Sequence, residues 1–279
     1  MEKSELTKAM VRDKYAEIAL QSPELNAVSC CGVNGCSTLD YSIFAEDYTN
    51  LKGYLEAADL KLGCGMPVEH AKIKEGDTVV DLGSGAGNDA FVARALVGPM
   101  GEVIGIDMTP AMIEKSRALA AELKLDNVRF RLGDIEEMPL GTSKADVVIS
   151  NCVLNLVPDK QKAFAEVMRI LKPGGHFCIS DVVLKGNLPD SIREAAEMYA
   201  GCVSGALQKN DYMGIIHELG FSAVSIKTEK EIQLPDEVLL KYLDEKGLAD
   251  FRKSGAGVFS ITVYAEKEKT CCTAGSGCC

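Results

Sequence analysis

A run of acidic residues and glycines begins where the first strand-like segment of the chain ends. It reads Asp81-Leu82-Gly83-Ser84-Gly85-Ala86-Gly87-Asn88-Asp89. A helical pattern follows, and glycines at alternate positions allow a tight turn and a close approach of the backbone to a ligand. The run therefore predicts a ligand site at Gly83, Gly85 and Gly87. The carboxylate of Asp81 would repel a pyrophosphate there, but it suits a positively charged group.

Polar residues follow the next three predicted strands as well. Asp107 ends the second strand, twenty residues after Gly87, and its carboxylate can accept hydrogen bonds from both hydroxyls of a ribose. Asp134 and Ile135 follow the third strand and suit an adenine ring, although a purely structural loop acid is an open alternative for the aspartate. Asn151 ends the fourth strand. Ligands of open parallel sheets bind at these strand ends, so the residues predict one shared site.

Eleven cysteines are spread over the chain. Cys64 lies between glycines before the first predicted strand, Cys152 follows the fourth strand, and Cys202 lies beyond the fifth. In a chain of this length without an export signal we expect reduced thiols, which can bind a soft element, and not a disulfide framework. Burial as a small hydrophobic residue is the alternative. It is the prediction for Cys178, inside an apolar strand, and it stays open for Cys152.

Segments that favour strands alternate with segments that favour helices. The strand-like runs are 78–82, 103–106, 128–132, 145–150, 176–183, 222–228 and 258–265. The helical patterns are 4–20, 88–97, 109–124, 159–171, 190–200 and 210–219. The predicted N-caps of these helices include Ser4, Thr109, Asp159 and Asn210. The alternation predicts βαβ units around a parallel sheet.

Composition limits the partners of the chain. Its net charge of −11 argues against nucleic acid or an anionic membrane as a partner. The first residues are charged and lack the apolar core of a signal peptide. No apolar run approaches the ~20 residues of a membrane span. We therefore expect a cytoplasmic protein.

The motifs at the strand ends, with the turn at Leu171-Lys172-Pro173-Gly174-Gly175, resemble those of class I S-adenosylmethionine-dependent methyltransferases over about residues 72–184. The resemblance implies an α/β, Rossmann-like fold: a seven-stranded, mostly parallel sheet with an antiparallel last strand and helices on both faces. It implies S-adenosylmethionine as cofactor, with its ammonium end near Asp81. The implied contacts are Asp81, Gly83, Gly85, Gly87, Asp107, Met108, Asp134 and Ile135, to which we add Asn151.

Three cysteine segments resemble those of the arsenite methyltransferase family. They are Gly63-Cys64-Gly65, Ser150-Asn151-Cys152 with the following Asn155-Leu156-Val157-Pro158-Asp159, and Cys202 with the following Gly205-Ala206-Leu207. The resemblance spans roughly residues 11–220. It implies that Cys64, Cys152 and Cys202 bind As(III), and that an upstream cysteine takes part in a disulfide during turnover. Cys30 and Cys31 both fit that role, and we favour Cys31.

The chemistry of arsenic agrees with this resemblance. Soft elements prefer thiolate ligands, so three thiolates suit As(III). Its lone pair can attack the sulfonium methyl directly, and no general base is needed because the acceptor loses no proton. The sequence thus predicts methylation of arsenite or its thiol conjugates for arsenic detoxification, with thioredoxin or glutathione as the reductant. The alternatives are a class I methyltransferase of an organic small molecule and a non-catalytic protein that binds soft metals through thiols.

On this basis we divide the chain into four parts. Residues 1–71 would form an N-terminal cap segment with a cysteine-rich loop, and residues 72–184 the cofactor-binding core. Residues 185–269 would contribute to the arsenic site and complete the sheet. Residues 270–279 would form a flexible cysteine-rich tail that captures arsenite, relays it, reduces the active-site disulfide or is dispensable. The tail cysteines are Cys271, Cys272, Cys278 and Cys279.

Overall fold

The structure, a computed structural model, describes residues 2–20, 46–190, 192–193, 203 and 205–269. The strands are β1 Thr78–Leu82, β2 Glu102–Asp107, β3 Val128–Leu132, β4 Ala145–Asn151, β5 Leu171–Lys185, β6 Ser222–Ile232 and β7 Gly257–Glu266. The helices are α1 Glu2–Leu20, α2 Pro67–His70, α3 Asn88–Val97, α4 Pro110–Glu122, α5 Lys160–Ile170, α6 Lys209–Glu218, α7 Asp236–Leu239 and α8 Glu245–Ser254. Short 3-10 turns cover Glu56–Ala58 and Leu154–Leu156.

The strands form one seven-stranded sheet in the order β3-β2-β1-β4-β5-β7-β6. Neighbours from β3 to β5 are parallel, whereas β7 is antiparallel to both β5 and β6. The chain builds outward from β1 to β3 and then returns to place β4 on the other side of β1. This reversal opens a crevice at the carboxyl ends of β1 and β4. The predicted fold class, with its antiparallel last strand, is confirmed.

Helices cover both faces of the sheet, which explains why its central strands are apolar on both sides. On one face Phe164 meets Tyr212 edge-on, with ring centroids 5.5 Å apart. On the other face Phe91 meets Phe130 at 5.6 Å in a similar arrangement. Such aromatic pairs contribute about 0.5–1.5 kcal/mol beyond the burial of their area. The two cores hold the strand ends that form the site.

Two of the four predicted helix caps are wrong, and the other two are confirmed in position. α1 already contains Ser4, and α6 already contains Asn210 in its first turn. Gln208 precedes α6 with an extended backbone, so the helix starts directly after it and not at the better capping residue. Asp159 does cap α5, because its side chain accepts a hydrogen bond from the backbone N–H of Lys162 at 2.9 Å.

The chain between β6 and β7 contains two helices, α7 and α8, that the sequence patterns did not predict. Asp244 caps α8 by accepting from the N–H of Gly247 at 2.7 Å. Gly255 ends the helix in the left-handed conformation, with φ of 68°. No residue of α8 is fully buried, and its apolar face consists mainly of Leu248 and Phe251, which pack half-buried against the core. So short an apolar pattern is a weak helix signal in a sequence. Within the described residues, no helix has the length and apolarity needed to cross a membrane.

A fully buried carboxyl lies in the middle of β5. Asp181 accepts hydrogen bonds from the backbone N–H of Val182 at 3.0 Å and from the hydroxyl of Tyr212 at 3.4 Å. Burial raises the pKa of Asp181 to about 7, against the opposing effects of these hydrogen bonds and of the charge on Lys160. The folded protein therefore keeps a proton that the unfolded chain releases at lower pH.

This proton predicts a pH-dependent gain in stability for Asp181→Asn. Between the ordinary pKa of 3.8 and about 7, the free energy of unfolding of the wild type falls as pH rises, because only the unfolded chain ionises. The neutral variant avoids this loss. Urea unfolding in reductant should give equal stability near pH 4 and a gain at pH 8 of about 4 kcal/mol at most. Asp211→Asn, at an exposed position, is the control, and an equal gain there would contradict the explanation.

Candidate active site

A cleft of about 1160 Å³, including its open mouth, lies at the carboxyl ends of β1 to β4. Most of the predicted cofactor residues line it, namely Asp81, Gly83, Gly85, Asp107, Met108, Asp134, Ile135 and Asn151. Cys152 lines the same cleft, and so do Leu62 and Gly63, which precede Cys64. The topology thus unites residues that the sequence separates widely.

The glycines of the β1–α3 turn have different roles. Gly83 has φ of 63°, and a side chain there would press into Val153, with its Cβ 2.4 Å from a methyl carbon. Gly87 lies away from the cleft wall. A Cβ at Gly87 would come within 2.7 Å of Phe91 and 2.9 Å of Phe130. Gly83 therefore keeps the cleft floor open, and Gly87 lets α3 pack closely on the sheet.

Asp107 holds the turn and faces the cleft at the same time. One carboxylate oxygen accepts from the N–H of Gly85 at 2.9 Å, and the other accepts from the N–H of Thr109 at 2.8 Å. The second bond satisfies the start of α4, where Thr109 is the N-cap but makes no side-chain capping bond. The Thr109 side chain is a further hydrogen-bond partner of this carboxylate, which still has acceptor capacity left for a ribose hydroxyl. The role as an acid before a helix and the predicted role in ribose binding are therefore compatible.

Three carboxyls crowd the floor of the cleft. Burial, and then the charges of Asp89 and Asp107, raise the pKa of Asp81 well above its ordinary value. Burial also raises the pKa of Asp89 to about 6. One side-chain oxygen of Asp81, Oδ2, has no hydrogen-bond partner among the described residues. A cation in the cleft would relieve this repulsion, so the site fits the positively charged S-adenosylmethionine.

A hydrogen-bonded network joins this floor to the loop that carries Cys64. The Asn151 amide oxygen accepts from the backbone N–H of Cys64 at 3.0 Å. Its amide nitrogen lies 2.8 Å from the carbonyl of Gly65, 3.0 Å from the Tyr48 hydroxyl and 3.2 Å from Asp89. The Tyr48 hydroxyl donates to Asp89 at 2.7 Å. Sequence patterns gave no signal for Tyr48, because it lies in an irregular segment without a motif.

Helix α1 lies along the side of the cleft that contains Asp134 and Ile135. The ammonium of Lys8 contacts Asp134 and Glu136, each at 2.6 Å. The Lys8 side chain is 15% exposed. Asp134 also accepts from the N–H of Glu136 at 2.8 Å. Asp134, the predicted adenine acceptor, thus also has a structural role in its loop. Its ion pair with Lys8 holds α1 against this loop.

Two of the three candidate arsenic ligands are brought together. Cys64 and Cys152 are both buried and belong to the same apolar cluster. Cys152 has φ of 61°, which is uncommon for a residue with a side chain. Its backbone N–H donates to the carbonyl of Ser180 at 2.8 Å, which fixes the turn after β4. Such backbone outliers occur preferentially at functional sites.

The remaining cysteine predictions have different outcomes. Cys178 is fully buried in the core, and burial raises the pKa of its thiol to about 12, so its predicted structural role is confirmed. Cys31 and Cys202 lie outside the described residues, as do the tail cysteines. Among the residues that the structure describes, no three His, Cys, Asp or Glu side chains form a metal site.

The topology, the turn after β1 and the carboxyl-lined cleft are those of a class I S-adenosylmethionine-dependent methyltransferase. A family model described as a methyltransferase domain matches residues 73–220. An arsenite methyltransferase from Halobacterium salinarum is 42% identical over 240 residues, and one from Aquipseudomonas alcaligenes is 31% identical over 242 residues. These matches cover 81% and 84% of this chain. The chain belongs to the arsenite methyltransferase family.

Solved structures agree with this assignment. The crystal structure of an arsenic(III) S-adenosylmethionine methyltransferase from Chlamydomonas reinhardtii superposes with a TM-score of 0.61 at 39% identity, covering 74% of this chain and 68% of that one. The Bacillus subtilis YcgJ protein, at 19% identity and a TM-score of 0.59, shares the fold. The chain spans 60% of the Halobacterium protein and 68% of the Aquipseudomonas protein.

Proposed function

We propose that this protein transfers methyl groups from S-adenosylmethionine to As(III) held by Cys64, Cys152 and Cys202. One observation carries the proposal: Cys64 and Cys152, far apart in the sequence, are buried in one cluster beside the cofactor cleft. Family membership and the similarity to named arsenite methyltransferases support it. The same reasoning favours a cytoplasmic enzyme, where thiols stay reduced.

Two neighbours of Cys202 support its place in the ligand set. Val203 belongs to the same buried cluster as Cys64 and Cys152, and consecutive Cα atoms are only about 3.8 Å apart. Gly205 packs so closely on the chain after Cys152 that a Cβ on it would lie 1.8 Å from the carbonyl oxygen of Asn155. The packing of these two neighbours supports the proposal that Cys202 is the third ligand.

The proposed reaction needs little acid–base chemistry. S-adenosylmethionine supplies an electrophilic methyl group on a sulfonium sulfur. The arsenic lone pair forms the new As–C bond, while the electrons of the broken C–S bond stay on sulfur. The thiolates hold the arsenic and raise its electron density, and the apolar wall around Val153, Leu156 and Val157 limits water. Orientation of the two reactants can contribute about 7–11 kcal/mol.

Methyl transfer raises the formal oxidation state of arsenic by two. Two thiolates can return two electrons to arsenic by forming one disulfide, and an external thiol reductant then restores both thiols. We assign Cys31 to this disulfide and thioredoxin or glutathione to its reduction. Each cycle thus consumes one methyl donor and one pair of reducing equivalents.

The proposal is tested by incubating the full-length protein with arsenite, S-adenosylmethionine and a dithiol reductant, and then separating the arsenic species. We expect methylated arsenic in amounts that match the S-adenosylhomocysteine formed. Omission of the reductant should stop the reaction after about one turnover. A protein that binds S-adenosylhomocysteine in calorimetry but forms no methylated arsenic would overturn the assignment of the substrate, while the class of methyltransferase would stand.

A further inference from the structure

We infer that Asn151 is a positioning residue that couples occupancy of the cofactor cleft to the conformation of the loop carrying Cys64. It stands at the end of β4, between the carboxyls of the cleft floor and the Cys64–Gly65 backbone. The inference rests on the proposed function only in giving Cys64 the role of an arsenic ligand. It concerns how the cofactor cleft and the loop that carries Cys64 affect each other.

The backbone around Cys64 is held mainly by side chains from elsewhere. Asn151 binds both sides of the Cys64–Gly65 peptide, accepting from one N–H and donating to one carbonyl. The hydroxyl of Ser260 donates to the carbonyl of Cys64. A Cβ at Gly63 would lie 2.6 Å from the Asn151 amide nitrogen, so the loop packs directly on this side chain. A shift of the amide therefore moves the loop.

The hydrogen bonds of the Asn151 amide can be rearranged. Its two amide hydrogens face three acceptor groups, which are Gly65, Tyr48 and Asp89. The single hydroxyl hydrogen of Tyr48 likewise faces both Asp89, at 2.7 Å, and Gly65, at 3.1 Å. Three hydrogens cannot make all five of these contacts at once. The network thus has alternative arrangements that differ in how firmly Gly65 is held.

The charge in the cleft selects among these arrangements. Asp89 lies near Asp81 on the cleft floor, and its charge contributes, after burial, to the raised pKa of Asp81. The ammonium group of a ligand near Asp81 offsets the repulsion between the two carboxyls and favours an ionised Asp89, which attracts the Tyr48 hydroxyl more strongly. The Asn151 amide is then left to the Gly65 carbonyl. Occupancy of the cleft therefore stabilises the loop in the conformation in which Asn151 binds it on both sides.

The test measures how fast the Cys64 thiol is alkylated, with and without saturating S-adenosylhomocysteine. Iodoacetamide is added in a phosphine reductant, and modification of the Cys64 peptide is followed by mass spectrometry. Because Cys64 is 5% exposed, alkylation requires opening of the loop. We expect the ligand to slow alkylation of the wild type at least about five-fold, the lower end of common coupling strengths. In Asn151→Ala, the ratio of the two rates should fall to about one.

Asn127→Ala is the matched control. Its amide also donates to two backbone carbonyls, of Gly98 and Gly101, and accepts from Arg94, but at the opposite end of the sheet. This variant should keep the full ligand effect. Equal slowing in Asn151→Ala would overturn the inference, because it would show direct shielding by the ligand. Absence of slowing in the wild type would overturn it as well.

A second variant covers the case in which Asn151→Ala does not fold. Tyr48→Phe removes one oxygen, and with it the bond to Asp89 and the contact with Asn151. We expect it to reduce the ligand effect on Cys64 to less than half of the wild-type value, and an unchanged effect would reject the coupling. No arsenic is present in these measurements. A negative result in the alkylation measurements would therefore reject the coupling without bearing on whether the protein methylates arsenite.

Discussion

Replacement of Cys152 by alanine is expected to lower the rate of arsenite methylation at least about 100-fold, since even loss of an outer partner of a metal ligand costs about 10–100-fold. The affinity for S-adenosylhomocysteine should not change, because the predicted cofactor contacts are backbone turns and carboxyls and not this thiol. Cys64→Ala should have the same effect, since its thiol is buried in the same cluster. Arsenic speciation gives the rate, and titration calorimetry gives the affinity.

Cys178→Ala provides the matched control. Its thiol is as fully buried as the other two, but it packs in the core on one face of β5 and away from the cleft. The variant loses packing worth about 1 kcal/mol or more and should keep its methylation rate at temperatures where it is folded. If all three alanine variants methylate equally well, the thiols are not the ligands. An organic acceptor would then be the better assignment.

The sequence was sufficient for the sheet because its strands are bounded by clear turn signals. β1 and β3 have the predicted bounds, Thr78–Leu82 and Val128–Leu132. In both, an apolar or alternating run is followed directly by glycine. The strand-end residues then had to meet, because parallel strands place their carboxyl ends at one edge. The gathering of Asp81, Asp107 and Asn151 in one cleft follows from local patterns and topology alone.

The parts that escaped prediction depend on contacts between distant segments. Lys8 resembles any solvated lysine on a polar helix, and only the packing of α1 over the cleft brings it to Asp134 and Glu136. Tyr48 acts through a bond to Asp89 that no spacing reveals. Gly87 fits a cofactor motif, but its missing side chain makes room for aromatic rings. The residue type limits which interactions a side chain can make, and the tertiary packing determines which partners it has.

The second large effect concerns how the cleft divides recognition of the cofactor between its two ends. We predict that Asp81→Asn weakens binding of S-adenosylhomocysteine about 10- to 100-fold, the equivalent of the ~1.5–3 kcal/mol of a hydrogen bond to a charged group. Its Oδ2 atom has no partner among the described residues, and the ammonium of the ligand would supply one. Methylthioadenosine, which lacks the amino-acid part, should bind this variant as it binds the wild type.

Asp107→Ala should give the opposite pattern. Asp107 accepts from the N–H groups of Gly85 and Thr109, and it faces the cleft where we predict the ribose. The substitution should lower the affinities for S-adenosylhomocysteine and methylthioadenosine by similar factors, because both ligands contain the same nucleoside. Titration calorimetry of S-adenosylhomocysteine and methylthioadenosine against Asp81→Asn and Asp107→Ala therefore distinguishes contacts with the amino-acid part of the ligand from contacts with its nucleoside. Equal weakening of both ligands by Asp81→Asn would show that this carboxyl shapes the turn and does not bind the ammonium.

The pH dependence of S-adenosylhomocysteine binding tests whether the carboxyls of Asp81 and Asp89 attract the ligand. Burial raises the pKa of Asp89 to about 6, and burial and neighbouring carboxyls raise the pKa of Asp81. Protons on these carboxyls weaken the attraction for the ammonium group of the ligand, so the affinity of the wild type for S-adenosylhomocysteine should fall as pH drops from 7 to about 5. At pH 6, binding should release protons, which calorimetry detects in two buffers of different ionisation enthalpy. Asp81→Asn should release fewer, because the carboxyl whose pKa is raised well above its ordinary value is gone and only Asp89 remains to titrate. A release equal to that of the wild type would place the titrating group elsewhere in the cleft.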